Sequence, residues 1–341
     1  MDPVPFVVGA VLLAVVVVDL FWTTLWVEGG AGPLTSRLMA VTWGGFKRIG
    51  DRDSRLLTLA GPVILVVGLS VWILLLWIGW TLVFASGTTP FIDTVGTGPL
   101  SWFEYVYVTG YTIFTLGNGD YVPRDGVWQL ATTLATASGM LFVTLTVTYV
   151  LSVLDAVTQK RSFASSVSGL GTSGDEIVRT SWDGEAFRGL DVPLNDLTSQ
   201  LNALTENHKA YPILHYFHSE QRNRAPVASI AALDEALTLF RFGVPEADRP
   251  SDTIVKNARA SVQSYLETLR NAFIEPADRS PPAPDLERLR DADVPTVSDE
   301  AFADAVADVD ERRRTLLRLI ESDRRQWPTS EPTPPANIAR E

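Results

Sequence analysis

The residues whose types and spacing could do chemistry lie between Thr112 and Asp120. The stretch Thr112-Ile113-Phe114-Thr115-Leu116-Gly117-Asn118-Gly119-Asp120 reads T-x-x-T-x-G-x-G-D. Its chemistry would be that of the backbone. Carbonyls of consecutive residues can all point one way only if the chain alternates between ordinary and left-handed conformations, and glycine adopts positive φ without a steric penalty. Gly117 and Gly119 occupy alternate positions. The stretch can therefore present a ladder of oxygens that replaces the water shell of a cation. Thr115 can add a ring of hydroxyls at one end, and Asp120 a ring of carboxylates at the other, if several copies surround an axis.

Two apolar segments flank the stretch. Leu56–Ala85 is thirty residues without a charge, and Val127–Leu154 is nearly as apolar. Each exceeds the roughly 20 residues needed to cross a hydrocarbon core. Gly61-Pro62 near the start of the first can kink it, and Trp72, Trp77 and Trp80 suit lipid-facing or interfacial positions. Ser101–Phe114 reads as a short aromatic helix, with Ser101 as N-cap and Glu104 at the capping-box position. It is too short to span and must re-enter, which is tolerated where protein or a water-filled cavity surrounds the chain.

Apolar helix, short aromatic helix, Gly-rich turn and second apolar helix together resemble the pore-loop potassium channels of the two-transmembrane class, over roughly residues 57–157. The resemblance implies a selectivity filter at Thr115, Leu116, Gly117, Asn118, Gly119 and Asp120. It implies pore-helix support from Tyr107, Tyr111 and Thr112, and four chains around the axis. It also implies permeant K+ and no other cofactor. Gly139 stands where the family has a gating hinge, and glycine's low helix propensity is a reason to bend there. Close helix packing is the other reading of a small residue at this place. Met140, Val143 and Val147 recur at helical spacing and can line an inner cavity, while Thr144, Thr146 and Thr148 can bond backbone carbonyls instead. Asp155 falls at the inner mouth or is an ordinary polar helix end.

One position departs from the family pattern. An aromatic residue usually separates the two glycines and packs on the pore helix; here it is Asn118. Tyr107 and Tyr111 can offer it a polar brace. The departure keeps Na+ open as a second permeant ion and a non-selective cation channel as an alternative.

The rest of the chain splits by composition. Residues 1–161 carry ten acidic and eight basic side chains, and residues 162–341 carry thirty and twenty, without an apolar run long enough to span. The net charge of −12 argues against nucleic acid as a partner, since phosphate binding needs a basic face. The absence of cysteine excludes disulfides and thiolate metal sites. The 24 Arg and 4 Lys, with abundant Asp, suit a salt-loving organism, although GC-rich codon usage also favours Arg.

Five regions are expected: an N-terminal spanning helix and basic loop over 1–55, a pore domain over 56–160, a linker over 161–174, a helical domain over 175–327 and a disordered tail over 328–341. Val4–Val27 spans, and it lacks the positive region and cleavage site of a signal peptide. Asp19 interrupts it and is expected near the headgroups or paired with an Arg. Leu34–Phe46 can lie on the membrane surface. Arg37, Lys47, Arg48, Arg52 and Arg55 place the following loop in the cytoplasm, which puts the N-terminus outside and the C-terminal domain inside a multi-pass cell-membrane protein. The literal G-x-G-x-x-G at Gly169–Gly174 has no preceding strand and reads as linker rather than nucleotide site.

Residues 175–327 show apolar residues at three- and four-residue steps, interrupted by prolines, which predicts helices. The fold class is thus an all-α membrane protein with three transmembrane helices, a re-entrant pore helix and an all-α cytoplasmic bundle. His208, His215 and His218 could bind a metal or sense pH, and the plainer reading is aromatic core with His at its edge. The bundle could take a ligand or partner and gate the pore. No Arg ladder for voltage sensing and no nucleophile–base constellation are present in the sequence. A receptor or scaffold with a non-conducting pore is the reading from another class. A potassium-uptake subunit would need four pore repeats in one chain, and there is one.

Overall fold

The computed structural model describes residues 1–26, 30–49, 55–94, 99–218, 225–270, 275–323 and 325–329. Arg52, Val27 and most of the expected tail lie outside them. The chain divides into two compact units. One comprises Met1–Ile49, Leu59–Leu154 and Lys209–Tyr216; the other comprises Gly50–Thr58, Asp155–His208 and Phe217–Glu341.

The first unit begins with α1 (Pro3–Leu25). Asp2 caps it by accepting from Val4 N, and Pro3 opens it, as an N-terminal proline can without losing a hydrogen bond. Then come α2 (Pro33–Ile49), α3 (Arg55–Ala85), β1 (Phe91–Asp93), α4 (Trp102–Ile113), β2 (Tyr121–Pro123) and α5 (Val127–Leu170). Among the described residues, three helices are long and apolar enough to cross a membrane: α1, α3 from Thr58 onward, and α5. α3 runs on through Pro62. β1 and β2 pair antiparallel, Ile92 opposite Val122, and the sequence reading did not foresee them. Strands so short hold two ends of a loop together rather than build a sheet.

Packing in this unit draws Val16 and Leu20 of α1, Leu76 and Phe84 of α3, Val108 and Ile113 of α4, and Ala135 and Phe142 of α5 into one core. α1 meets α3 at glycine: a Cβ on Gly9 would lie 2.7 Å from the Gly79 carbonyl oxygen. Small residues allow such backbone approach in membrane helices.

The tryptophans of α3 correct the sequence expectation. Trp72 and Trp80 are buried and Trp77 is half-buried. Their indole N–H groups donate to Asp19 Oδ2 (2.9 Å), Ser138 Oγ (2.9 Å) and the Val106 carbonyl (2.8 Å) respectively. An indole facing hydrocarbon would leave its N–H unmade, and protein partners remove that cost.

Asp19 likewise has no Arg partner among the described residues. It is fully buried, and accepts from the backbone N–H of Leu34 (2.8 Å) and Thr35 (3.2 Å), from Thr35 Oγ1 and from Trp72. It thereby caps the start of α2, where a helix leaves backbone donors unsatisfied and favours negative charge.

The second unit is a helical bundle. α5 continues as helix to Leu170, across most of the expected linker. Phe163 and Val167, both fully buried in this unit's core, explain why the helix persists there. Then follow α6 (Gly174–Ser181), α7 (Asp191–Ala210), α8 (Pro226–Thr238), α9 (Asp252–Arg270), α10 (Glu287–Arg290), α11 (Asp299–Ala307) and α12 (Asp310–Ser322). Ser173 caps α6 by accepting from Glu176 N (3.4 Å), and Ser298 caps α11. α8 runs through the centre with nearly every residue buried. Its Asp234 and Glu235 pair with Arg312 and Arg313 of α12.

Candidate functional site

The site begins at the end of α4. Ser101 and Glu104 form the expected capping box, each side chain bonding the other's backbone N–H. From there α4 carries Tyr107, Tyr111 and Thr112 into the unit. Thr112 is buried and donates to the Val108 carbonyl (2.7 Å), so its hydroxyl serves the helix. The helix ends as Phe114 N bonds Gly110 O and Leu116 N bonds Tyr111 O (2.8 Å).

Beyond it the backbone alternates. Thr115, Gly117 and Gly119 have φ of 60°, 59° and 83°. Glycine reaches this region freely; for Thr115, β-branched, it is an outlier held in place by its surroundings. The two glycines were legible in the sequence and the left-handed threonine was not. The carbonyls of Thr115, Leu116, Gly117 and Asn118 accept no hydrogen bond from the described residues. The Gly119 carbonyl accepts from Thr94 Oγ1 (3.2 Å), and that of Asp120 from Thr94 N (3.0 Å). The ladder of free oxygens therefore ends at Asn118. Asp120 Oδ1 is buried without a hydrogen-bond partner among the described residues.

Asn118 finds a brace. Its Nδ2 donates to Tyr107 Oη at 2.6 Å. Tyr107 packs edge-on against Tyr111 (5.2 Å between centroids) and Tyr121 (6.3 Å). Tyr111 Oη donates to the Tyr121 carbonyl (2.9 Å), and Tyr121 Oη donates to Glu104 Oε1 (3.0 Å). A belt of aromatic rings joined by hydrogen bonds thus ties residue 118 to the start of α4. Tyr121 and Thr94 were missed by sequence reasoning. Tyr121 adjoins the motif, but nothing in its spacing marks it, and Thr94 reaches the site only through the β1–β2 pairing.

Gly139 sits directly against this turn. A Cβ there would lie 1.9 Å from the Ile113 carbonyl oxygen, so the position admits no side chain while α4 stays in place. Of the two sequence readings, close packing is the one with a visible cause. Met140, Val143 and Val147 are exposed on α5, covered by nothing in their own unit. Thr144 and Thr148 bond the carbonyls of Met140 (2.9 Å) and Thr144 (3.0 Å). Asp155, in the second unit, is exposed and accepts from Gln159 Nε2 (2.7 Å).

The histidines are not brought together as a metal site: among the described residues no group of three or more His, Cys, Asp or Glu could hold one. His208 Nδ1 contacts the Leu204 carbonyl (2.9 Å), His215 packs edge-on to Tyr216, and His218 Nδ1 pairs with Asp323 Oδ1.

Comparison with known proteins places this geometry. A family model described as "Ion channel" matches residues 67–156, which include α4, the alternating turn and most of the apolar part of α5. The chain is 43% identical over 325 residues to "Uncharacterized membrane protein YdjJ" of Bacillus subtilis (strain 168), covering 95% of each. No solved structure matches it. With its pore-loop turn between two spanning helices and this full-length likeness to a membrane protein, the chain belongs to the two-transmembrane pore-loop ion-channel family.

Proposed function

We propose that the protein is a homotetrameric cation channel that conducts K+ passively through a filter formed by residues 115–120. The observation that carries this is the alternating backbone, with left-handed residues at 115, 117 and 119 and unclaimed carbonyls at 115–118. One chain supplies a quarter of a ring. Four chains give four stacked rings of oxygens, each able to stand in for water around a dehydrated ion. Leu116, 68% exposed beside the turn, and the exposed stripe Met140, Val143, Val147 and Leu151 support further copies and a central cavity as what covers them. The N-terminus lies outside and the C-terminal unit in the cytoplasm, following the basic residues Arg37, Lys47, Arg48, Arg52 and Arg55 between the first two spanning segments. That unit gates the pore, and its support is α5, one helix whose residues belong to both units.

The test is the reversal potential of purified protein in a planar bilayer, with K+ on one side and Na+ on the other. Reversal close to the K+ equilibrium potential is expected. Clear current reversing near zero would replace K+ selectivity with a non-selective cation pore, and no current would remove the reading. Asn118 decides between the first two. The Asn118–Tyr107 bond is a single neutral bond worth about 1 kcal/mol. Asn118→Tyr, which adds a ring to the aromatic belt, is expected to shift the reversal further toward K+.

A further inference from the structure

A small apolar recess lies within the first unit. Leu38 and Met39 of α2, Ile64 and Gly68 of α3, Tyr149 of α5 and Ile213 line it. Three observations single it out. Tyr149 is 5% exposed, and its hydroxyl is buried without a hydrogen-bond partner among the described residues. Gly68 is half-buried, and a Cβ there would meet nothing within 4 Å, so the recess stays open on the α3 side. The space in it open to the centre of a water-sized group is about 10 Å3, room for one small group.

Water fits this place poorly. A buried water needs two to four polar partners. The neighbouring hydroxyl of Thr35 already donates to Asp19, which leaves the Tyr149 hydroxyl as the donor still available. A buried hydroxyl without a partner is costly at low dielectric, so the recess favours an occupant that is apolar along its length and carries one accepting oxygen. Depth narrows the choice. Tyr149 lies 22 residues after Val127, or about 33 Å along the helix. That is close to the ~30 Å thickness of the hydrocarbon core. Tyr149 packs edge-on to Tyr211 (5.9 Å), and Trp43 to Tyr216 (5.7 Å), an aromatic cluster of the kind found at headgroup level.

We propose that this recess binds a membrane glycerolipid, its ester carbonyl accepting the Tyr149 hydroxyl proton and the first methylenes of its acyl chain lying beside Gly68. The bilayer supplies that group at that depth wherever the protein is embedded. The site is separate from the turn at 115–120 and stands whether or not the pore conducts.

The experiment reconstitutes the full chain in phosphatidylglycerol vesicles doped with the same lipid carrying a photoreactive diazirine on the acyl chain next to the ester. Irradiation and peptide mass spectrometry then locate the adducts. Wild-type protein is expected to be labelled at Leu38–Met39 and around Gly68. Gly68→Leu, which fills the open side, is expected to cut that labelling at least about fivefold, because the displaced ester no longer reaches the Tyr149 hydroxyl and about one hydrogen bond's worth of affinity is lost. Labelling of the exposed Val4–Val8 face of α1 stays the same and reports intact insertion. Gly68→Ala, one methyl in open space, gives a smaller loss and guards against misfolding of the larger variant. Tyr149→Phe should weaken labelling by the ester lipid and leave an ether-linked analogue unaffected. Equal labelling of wild type and Gly68→Leu would overturn the proposal. So would an equal response of ester and ether lipids to Tyr149→Phe. Labelling by a diazirine-bearing free alkanol without labelling by the lipid would overturn it as well, in favour of a soluble amphiphile.

Discussion

The two units bury polar groups in different ways. In the first, the polar side chains that have partners among the described residues are met by bonds that carry at most one charge: Trp72 to Asp19, Trp80 to Ser138, Trp77 to the Val106 carbonyl, Asn118 to Tyr107. In the second, opposite charges are buried together. Asp234 (1% exposed) pairs with Arg312, which also donates to Gln263 Oε1 (3.1 Å) and the Arg259 carbonyl (3.1 Å). Arg313 (3% exposed) meets Glu235 and the Pro282 carbonyl. The difference follows from solvent. Side chains within the hydrocarbon have no water to bond, so donors there look to protein partners and full charges are kept few. A bundle with polar surroundings can hold buried ion pairs, provided every remaining donor is met.

The comparison breaks most visibly at the alternating turn. Gly117→Ala puts a Cβ on a residue at φ 59° in a segment where Thr115 already holds the same strained region. K+ flux in vesicles is expected to fall by at least about a hundredfold, because a displacement of coordinating oxygens by a fraction of an ångström costs several kcal/mol in a dehydrated site. The oligomer on size-exclusion chromatography is expected to be unchanged. Full flux would sink the assignment of residues 115–118 as the conducting ladder.

In the second unit the corresponding break is Asp234→Ala. It leaves Arg312 buried with one partner gone, and breaking such a pair costs about 3–5 kcal/mol. Thermal or denaturant unfolding of the C-terminal unit should report that loss, with flux through an open pore affected only secondarily. Replacing both partners together, Asp234→Leu with Arg312→Met, should restore most of it, since a well-packed apolar pair is often as stable as the ions it replaces. A double variant as unstable as the single one would show that the pairing itself, rather than the orphaned charge, carries the stability.

How much of this was legible depended on which physical signal each feature leaves in sequence. The spanning helices, the capping box at Ser101 and the bundle at 175–327 declare themselves through run length, local spacing and periodicity, all properties of nearby residues. The two glycines of the turn declare their backbone because only glycine is free there. Thr115 does not, since a strained residue is held by neighbours the sequence does not order in space. Trp72, Trp77 and Trp80 were expected at lipid-facing or interfacial positions because a tryptophan in a spanning segment looks the same whether its N–H meets a headgroup or a buried partner; Asp19, 53 residues from Trp72, was needed to choose. The continuation of α5 to Leu170 was hidden by its serines and glycines, which favour a linker until Phe163 and Val167 are seen to be core. The pairs Asp234–Arg312 and Glu235–Arg313 of α8 and α12, each 78 residues apart, left no local mark at all.

Glu235 sharpens the contrast through pH. Burial raises its pKa from 4.5 to about 7, and the facing Arg313 and Trp327 offset only part of that. The folded carboxyl therefore holds its proton where the unfolded one has lost it. Its contribution to stability is fully present below about pH 4.5 and is lost as pH rises through about 7, up to about 3 kcal/mol in all. Denaturant midpoints of the C-terminal unit measured from pH 5 to 8 should fall over this window. Glu235→Gln, which cannot titrate, should flatten the fall. An unchanged slope in the variant would place the pH dependence on another group.

The smallest effect expected lies back in the first unit. Trp77→Phe keeps a ring near Phe114, which the indole meets edge-on at 5.9 Å, and gives up the outer part of the indole, which fills the space beside Gly110. It also removes the N–H that donates to the Val106 carbonyl at 2.8 Å. That carbonyl belongs to α4, whose own ladder can satisfy it, and Trp77 is only half-buried, so the loss should be about 1–2 kcal/mol. The oligomer should melt a few degrees lower at most, and K+ over Na+ discrimination should stay at the wild-type level, because Tyr107 and Asn118 keep their bond. A large loss of selectivity with little loss of stability would show that α3 sets the position of α4, and would move the brace of the turn from the tyrosine belt to the tryptophan behind it.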